Sequence, residues 1–169
     1  MNPVPKPTPD FQVIATDSQF RELVDRLAAQ PFIGFDTEFV SEHTYRSQLC
    51  LLQVAAPGVL AAIDTLAVAE IEPFWRLLAE PGRTTIVHAG REELGFILHA
   101  IKARPADLFD VQVAAGLVDH DYPAGYSSVV RKFLGEQASK AETRTDWRKR
   151  PLTDGQLAYA VDDVRHLER

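Results

Sequence analysis

The segment Phe32-Ile33-Gly34-Phe35 runs apolar straight into Asp36-Thr37-Glu38-Phe39. A short apolar run that ends in charge reads as a buried strand whose end emerges at the edge of a sheet. Successive side chains on a strand leave from opposite faces, so Asp36 and Glu38 share a face and point at one position. Two converging carboxylates repel unless a cation lies between them. An isolated Asp-x-Glu more often marks only the polar end of a strand, so the rest of the chain has to supply the context.

Around this strand the pattern is that of a layered α/β domain. Residues 11–15 alternate like a short strand, and Thr16 with Gln19 is a capping-box signal for a helix carrying Phe20, Leu23, Val24 and Leu27. Strands are expected at 32–39, 49–55 and 59–63, with Pro57-Gly58 turning the last two into a meander. A helix over 70–78, stopped by Pro81-Gly82, precedes a strand over 84–87 that runs into His88. Helices are expected at 91–101, 109–118, 127–134 and 154–167, the third ended by Gly135. Strands mainly early and helices mainly late fit a mixed sheet better than a regular doubly wound one. Residues 136–151 lack periodicity and read as a surface loop, where binding residues are often displayed.

Composition sets limits. The 169 residues, 46% hydrophobic and 25% charged, suit one globular domain. Apolar runs fall far short of the roughly 18 to 20 residues of a membrane span, so no membrane association is expected. Residues 1–10 are proline-punctuated without an apolar core and read as a flexible leader, not a signal peptide, before a domain over 11–169; a cytoplasmic location is the default expectation. Cys50 is the sole cysteine, which excludes an intrachain disulfide and a thiolate zinc cluster. Any metal must be held by oxygen or imidazole. The net charge of −6 argues against a nucleic-acid binder taken whole, yet Lys140, Arg144, Arg148, Lys149 and Arg150 make a locally basic stretch. Two divalent cations would bring −6 to about −2, so part of the acidity is what a metal site would carry.

Tyr159 and Asp163, four apart in a helical pattern, stack on one face one turn apart, whereas Asp162 points roughly 100° away. Alone, the pair reads as a core tyrosine and a solvated aspartate. In order along the chain, however, Asp-x-Glu on an early strand, an acid after a strand-to-helix turn and Tyr-x-x-x-Asp on a late helix resemble the three-part pattern of the DEDD exonuclease superfamily, in its tyrosine-bearing branch. Phosphodiester hydrolysis suits such a set because the scissile phosphate is anionic and gathers more charge, which two cations about 4 Å apart neutralise. Hard Mg²⁺ or Mn²⁺ takes oxygen ligands.

The likeness narrows to one family, ribonuclease D, and spans almost the whole chain. Phe35-Asp36-Thr37-Glu38-Phe39 resembles the first motif and Gln48-Leu49-Cys50-Leu51-Leu52-Gln53-Val54 the strand after it. Val87-His88-Ala89-Gly90-Arg91-Glu92-Glu93-Leu94 resembles the second motif. Phe109-Asp110-Val111-Gln112-Val113-Ala114-Ala115 and Asp146-Trp147-Arg148-Lys149-Arg150-Pro151-Leu152 resemble further segments, and Gln156-Leu157-Ala158-Tyr159-Ala160-Val161-Asp162-Asp163-Val164 the third motif. The resemblance implies a ribonuclease H-like fold, a mixed five-stranded sheet with helices on both faces. It implies Asp36, Glu38, Glu93 and Asp163 as ligands of two divalent ions, Mg²⁺ or Mn²⁺, with Tyr159 orienting the attacking water. The implied activity is hydrolysis of single-stranded RNA from its 3′ end to nucleoside 5′-monophosphates by a monomer, with tRNA precursors the family's expected substrate.

Two departures stand out. Where the second motif usually carries aspartate, this chain has Glu93, with Glu92 as the fallback ligand. The added methylene extends the carboxylate by about 1.5 Å, which predicts Mn²⁺ preference or weaker binding of the second ion. Family members also commonly continue into helical RNA-gripping domains beyond the point where this chain stops at Arg169, leaving a fragment or a minimal enzyme as alternatives. Glu93 also leaves open a nuclease fold that binds RNA without turnover, and the acids do not choose between RNA and DNA.

Substrate contacts are less constrained. Thr37 and His88 flank the acids, with His88 read as a neighbour of the ligands or as structural. Phe39 is a candidate to stack a terminal base and equally a core residue. Arg144, Arg148 and Arg150 are candidates to hold phosphates, and Trp147 to anchor their loop.

Overall fold

The computed structural model describes residues 10–41, 46–119, 122–138 and 145–169. Among these, six strands form one sheet and six helices cover it. In chain order they are β1 (Gln12–Ile14), α1 (Asp17–Ala28), β2 (Phe32–Val40), β3 (Gln48–Ala56), β4 (Val59–Ile63) and α2 (Glu72–Ala79). There follow β5 (Thr84–Val87), α3 (Arg91–Ile101), β6 (Leu108–Asp110), α4 (Val111–Asp119), α5 (Tyr126–Leu134) and α6 (Asp154–Arg165). Spatial order is β1-β4-β3-β2-β5-β6, and β3 alone opposes the other strands.

The expected ribonuclease H-like layering is present, with one strand more than the five anticipated. The additional strand, β6, begins where a helix over 109–118 was expected; Phe109 and Asp110 pair with Ile86 and Val87 instead, and the helix starts at Val111. The open edge of β5 supplies unpaired backbone groups, and Thr85 N–H donates to Asp107 O at 2.9 Å to start the ladder. Local helix-like spacing yields to that tertiary template. Thr16 caps α1 as its sequence suggests, its side chain accepting from Gln19 N–H.

Strand alternation divides the core. Ile33 and Phe35 of β2 and Leu52 and Val54 of β3 bury against α1, α2 and α3 through Leu27, Phe74, Trp75, Leu78 and Ile97. On the other face α6 lies across β2, β3 and β4, with Ala160 and Val161 packed on Cys50, Leu51 and Ala62. Val164 and Leu167 pack on Ala55. The C-terminal turn comes so close that a Cβ at Gly34 would stand 2.9 Å from Leu167 Cβ, so glycine is required there by the approach of the two elements.

Two features of β2 shape its far end. Parallel pairing with β5 is registered only as far as Gly34 opposite Ile86, while pairing with β3 continues to Val40. Asp36, Thr37 and Glu38 therefore sit on a strand paired on one side only. A register shift between Glu38 and Phe39 makes Cys50 the additional residue on β3, the local kink a bulge produces.

Candidate active site

Asp36 and Glu38 project from β2 toward α6, as their spacing requires, and Asp163 reaches them from α6. Glu93, in the first turn of α3, arrives from the carboxyl end of β5, the usual place for a site in a sheet of this kind. The helix entry is held tightly. Ala89 adopts a left-handed φ of 58°, and the Asp110 carboxylate accepts from Ala89 N–H at 3.1 Å, Gly90 N–H at 3.0 Å and Gln112 N–H at 2.9 Å. A Cβ at Gly90 would stand 2.4 Å from Val87 Cγ2. One carboxylate thus braces the starts of α3 and α4, a role its position after Phe109 did not announce.

The four acids perturb one another. Burial, then the charges of Glu93, Asp163 and Glu38, push the Asp36 carboxyl well above the usual carboxylate range. Burial followed by Asp163 and Glu93 lifts Glu38 to about 8. Burial lifts Asp163 to about 7 against the opposing hydrogen bond from Tyr159. Glu93 is raised by burial and pulled back by the hydrogen bond from Thr37, whose hydroxyl donates to Glu93 Oε1 at 2.6 Å. Tyr159 is raised by burial and then by Asp163 and Glu38. Burial leads each of these shifts, and neighbouring negative charge adds to it.

The donor chemistry fits a hard divalent cation: every converging group is an oxygen acid, the donor type such an ion takes. Among the described residues no three such groups already close on one point as a filled ion shell does, in keeping with their repulsion. A second buried polar group faces the same side. Gln53 pairs with Asp36 across β2 and β3, is fully buried, and has neither amide atom hydrogen-bonded among the described residues. A glutamine inside the apolar run of 49–55 was the sequence signal for it.

The remaining candidates separate. Thr37 is buried and spent on Glu93. The Phe39 ring is partly buried and meets Phe96 edge-on at 5.7 Å. His88 lies 5.5 Å from the Tyr126 ring, and burial holds its imidazole below the ordinary range despite Asp110. Tyr126 is a neighbour not anticipated from sequence: it is raised by burial and also feels Asp163, Asp162 and Asp36. Its hydroxyl donates to Asp162 O at 3.0 Å.

Arg150 departs most from expectation. Its guanidinium donates to Asp64 at 2.6 and 2.7 Å, to Cys50 O at 2.8 Å and to Trp147 O at 2.7 Å. Although burial works against it, that pairing holds Asp64 below the usual carboxylate range. Five donors in a fixed fork suit this clamp, which leaves no fork for a phosphate. Trp147 does anchor the loop, buried with Cys50 and Leu51 and stacked 6.4 Å from Tyr159. Arg148 is half exposed and pairs with Asp146 at 2.8 Å. Arg144, with Lys140, lies outside the described residues.

The 3′-5′ exonuclease family matches residues 11–169. Ribonuclease D of Shewanella sp. (strain ANA-3) is 39% identical over 157 residues, covering 93% of this chain and 40% of that protein. The crystal structure of Escherichia coli RNase D superposes with a TM-score of 0.85 at 38% identity, over 91% of this chain and 41% of that one. The Aedes aegypti Nibbler EXO domain shares the fold with a TM-score of 0.82 at 17% identity, over 94% of this chain and 84% of that one. The chain spans about two-fifths of the length of the curated relatives it matches. Matched from its first strand to its last residue, the chain belongs to the 3′-5′ exonuclease family and resembles the ribonuclease D proteins in it.

Proposed function

We propose that the chain is a divalent-metal-dependent 3′-5′ exoribonuclease domain, extending over residues 11–169 behind a short leader, that removes nucleoside 5′-monophosphates from single-stranded RNA. The observation that carries this reading is the gathering of Asp36, Glu38, Glu93 and Asp163 from three separate elements into one electrostatically coupled group. Those four side chains would hold Mg²⁺ or Mn²⁺, which when bound neutralises the phosphate and stabilises charge on the attacking and leaving oxygens. Tyr159, on the same helix as Asp163 and raised in part by its charge, would orient the attacking water. Gln53 keeps an amide beside Asp36 for a polar partner in the assembled site.

RNA as substrate is supported by the likeness to Escherichia coli RNase D, described as an exoribonuclease involved in structured RNA processing; tRNA precursors and a monomeric cytoplasmic enzyme are the corresponding proposals. No helix among the described residues is long and apolar enough to cross a membrane. The test is a 5′-labelled single-stranded RNA incubated with Mg²⁺ or Mn²⁺, beside a DNA of the same sequence. One-nucleotide laddering from the 3′ end that Asp36→Ala abolishes is expected. RNA binding without laddering under either ion would replace the enzyme by a binding module, and laddering of DNA alone would change the substrate.

A further inference from the structure

We propose that Thr37 is the positioning residue that makes the longer Glu93 side chain usable, its hydroxyl taking one carboxylate oxygen and fixing the group against Asp36. This rests on the nuclease reading above. Alternation along β2 sends Thr37 to the face opposite Asp36 and Glu38, where a threonine would ordinarily only pack. Parallel pairing with β5 is registered no further than Gly34, however, and the first turn of α3 lies alongside the uncovered edge. Glu93 reaches that edge and receives the Thr37 hydroxyl at 2.6 Å, with the Asp36 carboxyl as its charged neighbour.

The geometry has a clear physical consequence. A glutamate carries one more rotatable bond than an aspartate, so its carboxylate has more positions to choose from and loses more freedom on being fixed. Thr37 and Glu93 are each only 5% exposed, so solvent does not compete for their bond, and a short hydroxyl-to-carboxylate bond is of the strong, charge-assisted kind. With the backbone of α3 pinned at Ala89 and Gly90 by Asp110, the side-chain torsions are what remain, and Thr37 selects among them. The additional methylene is taken up in reaching past the strand edge to this hydroxyl. An aspartate at position 93 would be too short by about 1.5 Å to use it. The contact therefore belongs to this chain's departure at position 93.

The test is a double-mutant cycle between Thr37→Val and Glu93→Asp, with Thr37→Ser as the conservative variant. RNA laddering is followed under single-turnover and steady-state conditions, and Mn²⁺ binding is measured separately by calorimetry. Thr37→Val is expected to lower kcat and weaken Mn²⁺ binding by roughly 10- to 100-fold, the range for residues that orient a metal ligand. KM for RNA and the melting temperature should stay near those of the parent. Thr37→Ser should recover most of the loss, and in the Glu93→Asp background the valine should cost less than about 3-fold. An equal loss in both backgrounds, or no loss in either, overturns the proposal. Should Thr37→Val not fold, Thr37→Ala takes its place in the cycle. If the parent binds Mn²⁺ but cuts no RNA, the nuclease reading fails while the calorimetric cycle still decides the role of Thr37.

Discussion

Ile33 and Phe35 enter a layer in which the rings of Phe35, Phe74 and Trp75 lie 5.1 to 5.8 Å apart, whereas Asp36 and Glu38, on the same strand, face the acid of α6, Asp163. The first face has what stability asks for: large apolar side chains, fully buried and interlocked. On the second, small residues such as Ala55, Ala62 and Ala160 let α6 approach closely, and the space so gained is filled with carboxylates that oppose folding until something positive joins them. Period-two alternation lets one strand serve both, so the cost of the site is offset on the other side of the same backbone.

The sharpest break in this contrast is Asp36→Asn. Laddering should fall on the order of 10³-fold or more, as expected for losing a group that acts with its neighbours as a unit, while thermal melting of the metal-free protein holds or rises because a repelled acid has become neutral. A large drop in melting temperature would mean that Asp36 holds the fold together. On the opposite face, Trp75→Ala should cost about 3 to 5 kcal/mol in chemical denaturation and leave turnover per folded molecule near that of the parent.

Arg150→Met probes the seam between the faces. Both partners of the Arg150–Asp64 pair are mostly but not wholly buried, so its removal should cost roughly 1 to 2 kcal/mol, lowering the melting temperature by about 2 to 8 °C. The salt dependence of RNA binding should be unchanged. A flatter salt dependence with an unaltered melt would return Arg150 to the phosphate-binding role that its sequence position suggests.

The smallest effect is a dependence on pH. Glu38 at about 8 and Asp163 at about 7 lie above the values of an unfolded chain, so the native state holds more protons than the unfolded state between about pH 4 and 8. Their contribution is fully present below the unfolded values and is lost as pH rises through 7 to 8. Metal-free protein should therefore melt a few degrees higher at pH 6 than at pH 8.5, and saturating Mn²⁺ should reduce or reverse the difference. A melt that rises with pH without metal would contradict the raised values.

What the sequence disclosed follows from the range of the interactions. Spacing of two on a strand and four on a helix is local, and it put Asp36 with Glu38 and Tyr159 with Asp163 on common faces, as the structure has them. The caps at Thr16 and the helix over 91–101 were legible for the same reason. Three-residue β6 was hidden because Phe109 and Asp110 run without a break into a helical pattern, and only the edge of β5 makes a strand of them. The bonds of Arg150 and Thr37 were hidden for a different reason: their partners are 86 and 56 positions away. A basic residue in a loop or a threonine between two acids carries no local sign that its hydrogen bonds are already spent.

The pairing of β2 and β3 through the kink at Glu38 and Phe39 also constrains how the chain can misfold. Sliding β2 by one position would drive Asp36 in among Phe74 and Trp75 and lift Phe35 into the company of Asp163. Neither placement is tolerable, the one burying a bare carboxylate in hydrocarbon and the other leaving a benzyl ring against charge. The acids of the proposed site therefore also penalise an alignment of the central strands displaced by a single residue.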